Sequence, residues 1–275
     1  MKGKKLDPSI KRIFIVGVAR SGTTLLQSML GSHSQVFTMP EMHFWDHVIY
    51  KQPILQVFQI ISKKKINSTI AKLNKLNPSQ ETKSPRYFYS KINYSAWVLK
   101  NVDQIAQHNG KKIWLEKTPL NLYYTSLISK TDPFAIFIHM LRNPIQNIAS
   151  LYEAGIKHPN YFSQNTLEAC ISRYNREVSM SISQLENKNH HFVRYEKLIS
   201  NPEEVLRSLC SEIKIKFEDA MLNYSNTAEK IIESKEAWKT KNTREISDSQ
   251  KFREVFKEHE INRILEETKS IVLPD

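Results

Sequence analysis

The chain has 275 residues, 40% of them hydrophobic and 25% charged, which excludes a disordered or fibrous chain and gives enough length to bury a sizeable core. Forty Lys and Arg against 28 Asp and Glu leave a formal charge of +12, a surplus suited to an anionic partner: nucleotide phosphates, an acidic glycan, nucleic acid or a membrane surface. The predicted elements open with a buried strand over 11–16 (KRIFIV), closed by Gly17. A helix follows over 21–30, with Leu25, Leu26, Met29 and Leu30 on one face. Residues 46–108 read as a mainly helical, locally basic insertion in a single domain. In it Ile54, Leu55, Phe58, Ile61 and Ile66 share a face, Lys63, Lys64 and Lys65 form a solvated one, and 78–86 is a loop.

A second strand is expected over 112–115 (KIWL), then a helix over 119–130 with Pro119 in its first turn. The third strand, 134–141 (FAIFIHML), is almost continuously apolar, as central parallel strands are. Helices over 142–154 and 165–187, a fourth strand at 191–194, a helix starting at Asn201-Pro202-Glu203-Glu204 and a last helix over 258–272 complete the chain. Strands alternating with helices imply an α/β fold, a central parallel sheet flanked by helices. Cys170 and Cys210 are too few for a disulfide scaffold and are expected as reduced core thiols. His139, inside the third strand, is expected as a core histidine. The apolar run 13–18 is too short for a signal core and no stretch reaches the roughly 18 apolar residues of a bilayer span, so a cytoplasmic location is expected.

The most informative stretch joins the first strand to its helix: Gly17-Val-Ala-Arg20-Ser21-Gly22-Thr23-Thr24. Three of only six glycines, Gly17, Gly22 and Gly31, fall within fifteen residues. Glycine there lets backbone N–H groups converge on an anion at a helix N-terminus. The spacing is that of a nucleotide-triphosphate loop, but Thr23 stands where such a loop has the lysine that holds β- and γ-phosphates. Binding of a triphosphate for γ-transfer is therefore disfavoured, whereas one phosphate and a group attached to it are still served by Thr23, Thr24 and Arg20.

Arg20-Ser21-Gly22-Thr23-Thr24 resembles the loop of sulfotransferases that use 3′-phosphoadenosine-5′-phosphosulfate, where it binds the 5′-phosphosulfate. Arg142, ending the third strand, and Ser150, eight residues on, resemble the pair that binds the donor's 3′-phosphate in that family. Glu41, after Pro40, and Lys117 in Glu116-Lys117-Thr118-Pro119 resemble the catalytic base and the lysine of the tyrosylprotein-sulfotransferase-like subgroup. Tyr195 in Val193-Arg194-Tyr195-Glu196-Lys197-Leu198 resembles a residue beside the donor nucleotide. The resemblance runs in order over about 11–210. It implies a P-loop-like fold, adenosine 3′,5′-bisphosphate as product, no metal, no nucleic-acid partner beyond the nucleotide, and a hydroxyl acceptor (a glycan, a peptide tyrosine or a small molecule) whose pocket the 46–108 insertion shapes.

On that resemblance Glu41 takes the acceptor's proton, Lys117 and Arg20 offset charge on the bridging and sulfuryl oxygens, and Ser21 to Thr24 hold the 5′-phosphate. Arg142 and Ser150 hold the 3′-phosphate. His43, two residues after Glu41, is the rival base. His33, His43 and His47 have no metal-ligand spacing. Many cytosolic members of the family close over the 3′-phosphate with a glycine-containing loop; no glycine follows Gly155, so residues 238–242 or Lys251 are expected to substitute. Phe44, Trp45, Tyr87 to Tyr89 and Trp97 either line an aromatic pocket or fill the helical core. Two other readings stay open, a P-loop kinase and a polyanion-binding module. The first needs a lysine at position 23 and an aspartate ending a strand. The second needs basic residues interleaved with aromatics, of which Pro85-Arg86-Tyr87-Phe88-Tyr89 is the single cluster.

Overall fold

The computed structural model describes residues 6–46, 61, 63–79, 81–84, 90–232 and 252–274. Its centre is a five-stranded parallel sheet in the order β2-β3-β1-β4-β5. The strands are β1 (Lys11–Gly17), β2 (Val36–Thr38), β3 (Ile113–Lys117), β4 (Ile136–Leu141) and β5 (His190–Arg194). Four of them coincide with the strands expected from the sequence. β2 was not expected: its three residues carry no alternation, and its place comes from pairing with β3, Val36 opposite Ile113 and Thr38 opposite Leu115.

The central position of β1 follows from its composition. Side chains alternate across a strand, so Phe14 and Val16 enter one core layer, with Trp45, Trp114, Phe137, Tyr94, Val98 and Val102. Ile13 and Ile15 enter the opposite layer, with Leu25, Leu26, Met29, Ile138, Leu206 and Leu209. A strand buried on both faces reads as an uninterrupted apolar run. The single charged residue of β1 inside this core, Arg12, is neutralised twice: Asp103 lies 2.6 Å from Nη2 and Asp132 3.1 Å from Nη1. Trp114 Nε1 donates to Asp103 at 2.9 Å.

The described α-helices of six or more residues are α1 (Thr23–Gly31), α2 (Lys63–Leu76), α3 (Lys91–His108), α4 (Thr125–Thr131), α5 (Pro144–Lys157), α6 (Leu167–Ile182), α7 (Tyr195–Ser200), α8 (Pro202–Glu212), α9 (Ser225–Ile231) and α10 (Glu258–Thr268). Several differ from expectation. Pro119 opens a 3-10 stretch, Pro119–Tyr124, and regular helix begins only at Thr125. The helix expected over 165–187 ends at Ile182, and the last helix ends at Thr268. Asn201 precedes Pro202 at the start of α8, but its side chain makes no capping bond, and Tyr195–Ser200 is already helical. The lysine triplet divides: Lys63 and Lys64 are exposed, whereas Lys65 turns inward and donates to the His43 carbonyl at 2.6 Å.

Phe44 and Trp45 are buried core residues and Trp97 packs against the same layer, so these three belong to the helical core rather than an open pocket. Cys170 and Cys210 are buried and free, as expected, and burial raises each thiol to about 11. His139 is also buried, its Nε2 2.8 Å from His190 Nδ1. His47, Ile54, Leu55, Phe58, the cluster Pro85 to Tyr89, residues 238–242 and Lys251 lie outside the described residues. Among the described residues no helix is long and apolar enough to cross a membrane.

Candidate active site

The sheet order places β1 between β3 and β4, so the chain leaves β1 toward opposite edges in its two halves. Parallel α/β sheets bind ligands outside the strand C-termini at this reversal. The loop after β1, the end of β3 and the end of β4 all meet there. They carry Arg20 to Thr24, Lys117 and Arg142.

The loop needs unusual backbone. Gly22 is the N-cap of α1 with φ 98°, and a Cβ on it would stand 2.3 Å from Tyr195 Cδ2, so the position requires glycine both for conformation and for space. Arg20 is also left-handed, at φ 71°. Strain of this kind persists only where the surroundings over-determine it. Ser21 is buried, and its hydroxyl has no hydrogen-bond partner among the described residues. An orphaned buried donor beside a helix N-terminus fits an anion seated in the loop. Among the described residues no group of three His, Cys, Asp or Glu side chains is placed to hold a metal ion.

Arg142 and Ser150 meet through Arg20. Arg20 Nε donates to Ser150 Oγ at 3.2 Å, and Arg142 Nη1 donates to the Arg20 carbonyl at 3.1 Å. Burial, with the nearby Arg142 charge second, depresses Arg20 to about 10. Arg142 also lies over the Tyr195 ring, 4.2 Å from its centroid. Tyr195 is thus a buried floor beneath both Gly22 and Arg142. Two further bonds hold the end of β4. The Tyr174 hydroxyl donates to the Arg142 carbonyl at 2.9 Å, and Asn143 caps α5 by accepting from Ile145 N–H at 3.0 Å.

On the β3 side, Lys117 is buried and donates to Thr24 Oγ1 at 3.0 Å and to Glu41 Oε1. One ammonium therefore joins the loop to the acidic residue. Glu41 Oε2 lies 3.4 Å from His43 Nε2, and His43 Nδ1 lies 2.7 Å from Asp46 Oδ2. The two residues that the sequence set up as rivals stand in one line: Lys117, Glu41, His43, Asp46. His43 is 39% exposed and Glu41 15%, so both reach solvent at the mouth of the site. Asp46 was missed, although its spacing of three residues from His43 suits a turn.

Glu116 was quoted only as part of a motif, yet it organises the floor. It is fully buried and accepts from Thr118 Oγ1 and Asn121 Nδ2, each at 2.5 Å, and from Met42 N–H at 3.3 Å. Burial pushes its carboxyl up to about 7, against the lowering effect of the Thr118 hydrogen bond. Lys65 is shifted the other way, down to about 8, by burial and then by Lys72. Gln27, on α1, donates to the Met39 carbonyl at 2.7 Å and ties the start of this acidic segment to the loop helix.

The chain is similar to known sulfotransferases over most of its length. The model of a family described as "Sulfotransferase family" matches residues 12–219. Protein-tyrosine sulfotransferase 1 of Danio rerio is 26% identical over 215 residues, 77% of this chain and 55% of the relative. An uncharacterised protein of Aquifex aeolicus is 26% identical over 241 residues, 82% of this chain but 28% of its own length. The chain thus spans about half or less of the curated relatives described here. Among solved structures, the sulfotransferase domain from the curacin biosynthetic pathway superposes with a TM-score of 0.61 at 18% identity, covering 98% of this chain and 100% of that one. A mouse sulfotransferase complexed with PAP gives 0.57 at 13% identity, covering 98% and 88%.

Proposed function

The chain belongs to the sulfotransferase family, and from that premise we propose that it moves a sulfuryl group from 3′-phosphoadenosine-5′-phosphosulfate to an acceptor hydroxyl. The observation that carries this reading is the Lys117 ammonium, which bonds both Thr24 of the anion loop and Glu41. A cation between a phosphate cradle and a carboxylate suits a reaction in which negative charge grows on one side while a proton departs on the other. The mouse protein's complex with PAP supports the choice of donor. The tyrosylprotein relative supports an oxygen acceptor.

The donor supplies the sulfur–oxygen bond that breaks: the acceptor oxygen bonds to sulfur, and the electron pair of the broken bond leaves with the 5′-phosphate. The chain's own residues do the rest. Backbone N–H groups over 21–24, with the Ser21, Thr23 and Thr24 hydroxyls, bind the 5′-phosphate. Lys117 offsets charge on the leaving oxygen, and Arg20 contributes from within the loop. Arg142 and Ser150, meeting through Arg20, recognise the 3′-phosphate, and Tyr195 supports them. Glu41 takes the acceptor's proton, with His43 and Asp46 beside it to orient the carboxylate and pass the proton to solvent. Lys251 remains proposed as a closing residue over the 3′-phosphate, and the segment 46–108 as the insertion facing the acceptor.

Two measurements test the reading. Adenosine 3′,5′-bisphosphate is expected to stabilise the protein without magnesium, by about 2.7 kcal/mol at a hundredfold excess over Kd, and ATP to do far less. A screen of hydroxyl acceptors with the sulfuryl donor should then show, by mass, an acceptor gaining one sulfuryl group. Magnesium-dependent preference for ATP would sink the reading.

A further inference from the structure

Residues 42 and 43 have all four polar backbone groups engaged by side chains. Met42 N–H donates to Glu116 Oε1 at 3.3 Å and His43 N–H to Thr118 Oγ1 at 3.2 Å. The Met42 carbonyl accepts from Lys72 Nζ and the His43 carbonyl from Lys65 Nζ, each at 2.6 Å. The grip comes from two sides, Glu116 and Thr118 at the end of β3, Lys65 and Lys72 on α2. The two lysines are seven residues apart, two helical turns, so they share a face and reach successive carbonyls. His43 is held at φ 50°, a conformation a non-glycine residue keeps only under external restraint.

This segment carries the side chains that matter. Glu41 faces Lys117 from one end, and His43 stands between Glu41 and Asp46. We propose that Lys65 and Lys72 are positioning residues that lock the 41–46 segment so that Glu41 and His43 meet the Lys117 end of the anion loop. The inference rests on the reading of Glu41 and His43 as the proton-handling group. A flexible ammonium at each carbonyl fixes the peptide planes and, through them, where both side chains point. The contrast within the triplet supports a dedicated role, since Lys63 and Lys64 face solvent and Lys65 alone of the three turns to the segment.

The test uses Lys65→Met and Lys72→Met in the full chain, with Lys64→Met as control. Misplacement by about an ångström costs roughly a hundredfold in rate, so kcat is expected to fall about ten- to a hundredfold in each, with adenosine 3′,5′-bisphosphate affinity unchanged as evidence of an intact fold. The His43 ring resonances, followed by NMR at constant pH, should shift because the ring's distances to Glu41 and Asp46 change. Lys65→Arg and Lys72→Arg should recover part of the turnover, and Lys64→Met should match the parent. Unchanged kcat together with unchanged His43 ring resonances overturns the proposal. If Glu41→Gln and His43→Asn both keep full turnover, the proton-handling reading falls instead. The His43 ring resonances then decide the lysines: a shift keeps their positioning role and its absence removes it.

Discussion

Arg20 donates from Nε to Ser150 Oγ across 3.2 Å, and this bond fastens the loop after β1 to the helix after β4. Arg142 reaches the same junction from the other side, at the Arg20 carbonyl. Two guanidiniums are brought together where each disfavours the other's charge. A phosphate dianion seated at this junction would relieve that repulsion, which a neutral ligand would not do.

Arg142→Ala is therefore expected to weaken adenosine 3′,5′-bisphosphate far more than 5′-AMP, by about 1.5–3 kcal/mol for a charge-assisted hydrogen-bonded group. Arg142→Lys should recover only part, because a point charge does not reproduce a planar fork. Ser150→Ala should cost less, about 0.5–1.5 kcal/mol. Calorimetric titration with both nucleotides checks this. Equal losses for the two would make Arg142 a structural residue.

Glu41→Gln keeps the shape of the side chain and removes its basicity. Turnover should fall about 10² to 10⁴-fold while bisphosphate affinity holds, since the residues proposed to hold the donor's phosphates are other side chains. His43→Asn should retain more activity than Glu41→Gln. The reverse order, measured by single-turnover transfer, would move the base to His43.

The buried pair His139 and His190 makes stability depend on acid. Burial depresses both, His139 to about 3 and His190 to about 4, from an unfolded value near 6.5. Folded neutral and unfolded protonated, the pair contributes stability in full above about pH 6.5, and that contribution is lost as pH falls toward 4 and below. The slope between is up to about 2.7 kcal/mol per pH unit, two protons at about 1.36 each. Denaturant melts from pH 7 to 4 should show it, and a His139→Leu, His190→Leu double variant should flatten the curve. An equally steep curve in the double variant would assign the acid sensitivity to other groups.

Arg12 depends on both carboxylates around it. Asp103→Ala leaves a buried guanidinium with half its compensation and strands Trp114 Nε1. Removing one partner of a buried pair typically costs about 3–5 kcal/mol. A fall in Tm with unchanged bisphosphate affinity per folded molecule is expected. A loss below about 1 kcal/mol, the range of an exposed pair, would show that water reaches Arg12.

What could be read along the chain was what the chain states locally. The apolar run of β1, the Arg20-to-Thr24 loop and Pro144 at the start of α5 each encode structure within a few residues, through burial, glycine freedom and proline's fixed φ. The absence of a lysine at position 23 was equally local and steered the reading away from triphosphates.

Relationships across the fold were decided by packing. β2 exists because β3 offers it a partner, and no pattern in three residues announces that. Lys65 read as one cation in a solvated triplet, because helical periodicity does not say which long side chain finds a carbonyl. Its target lies 22 residues away in sequence and 2.6 Å away in space. Glu41 and His43 read as competitors because one dimension cannot show that one carboxylate faces Lys117 with one oxygen and an imidazole with the other. The strand–loop–helix unit and its suitability for an anion are legible in residues 11–31 alone, since local backbone conformation makes that cradle. How Arg142 and Ser150 meet through Arg20, and which residues hold Glu41, follows from packing, because those bonds join side chains that the parallel sheet order brings to one edge.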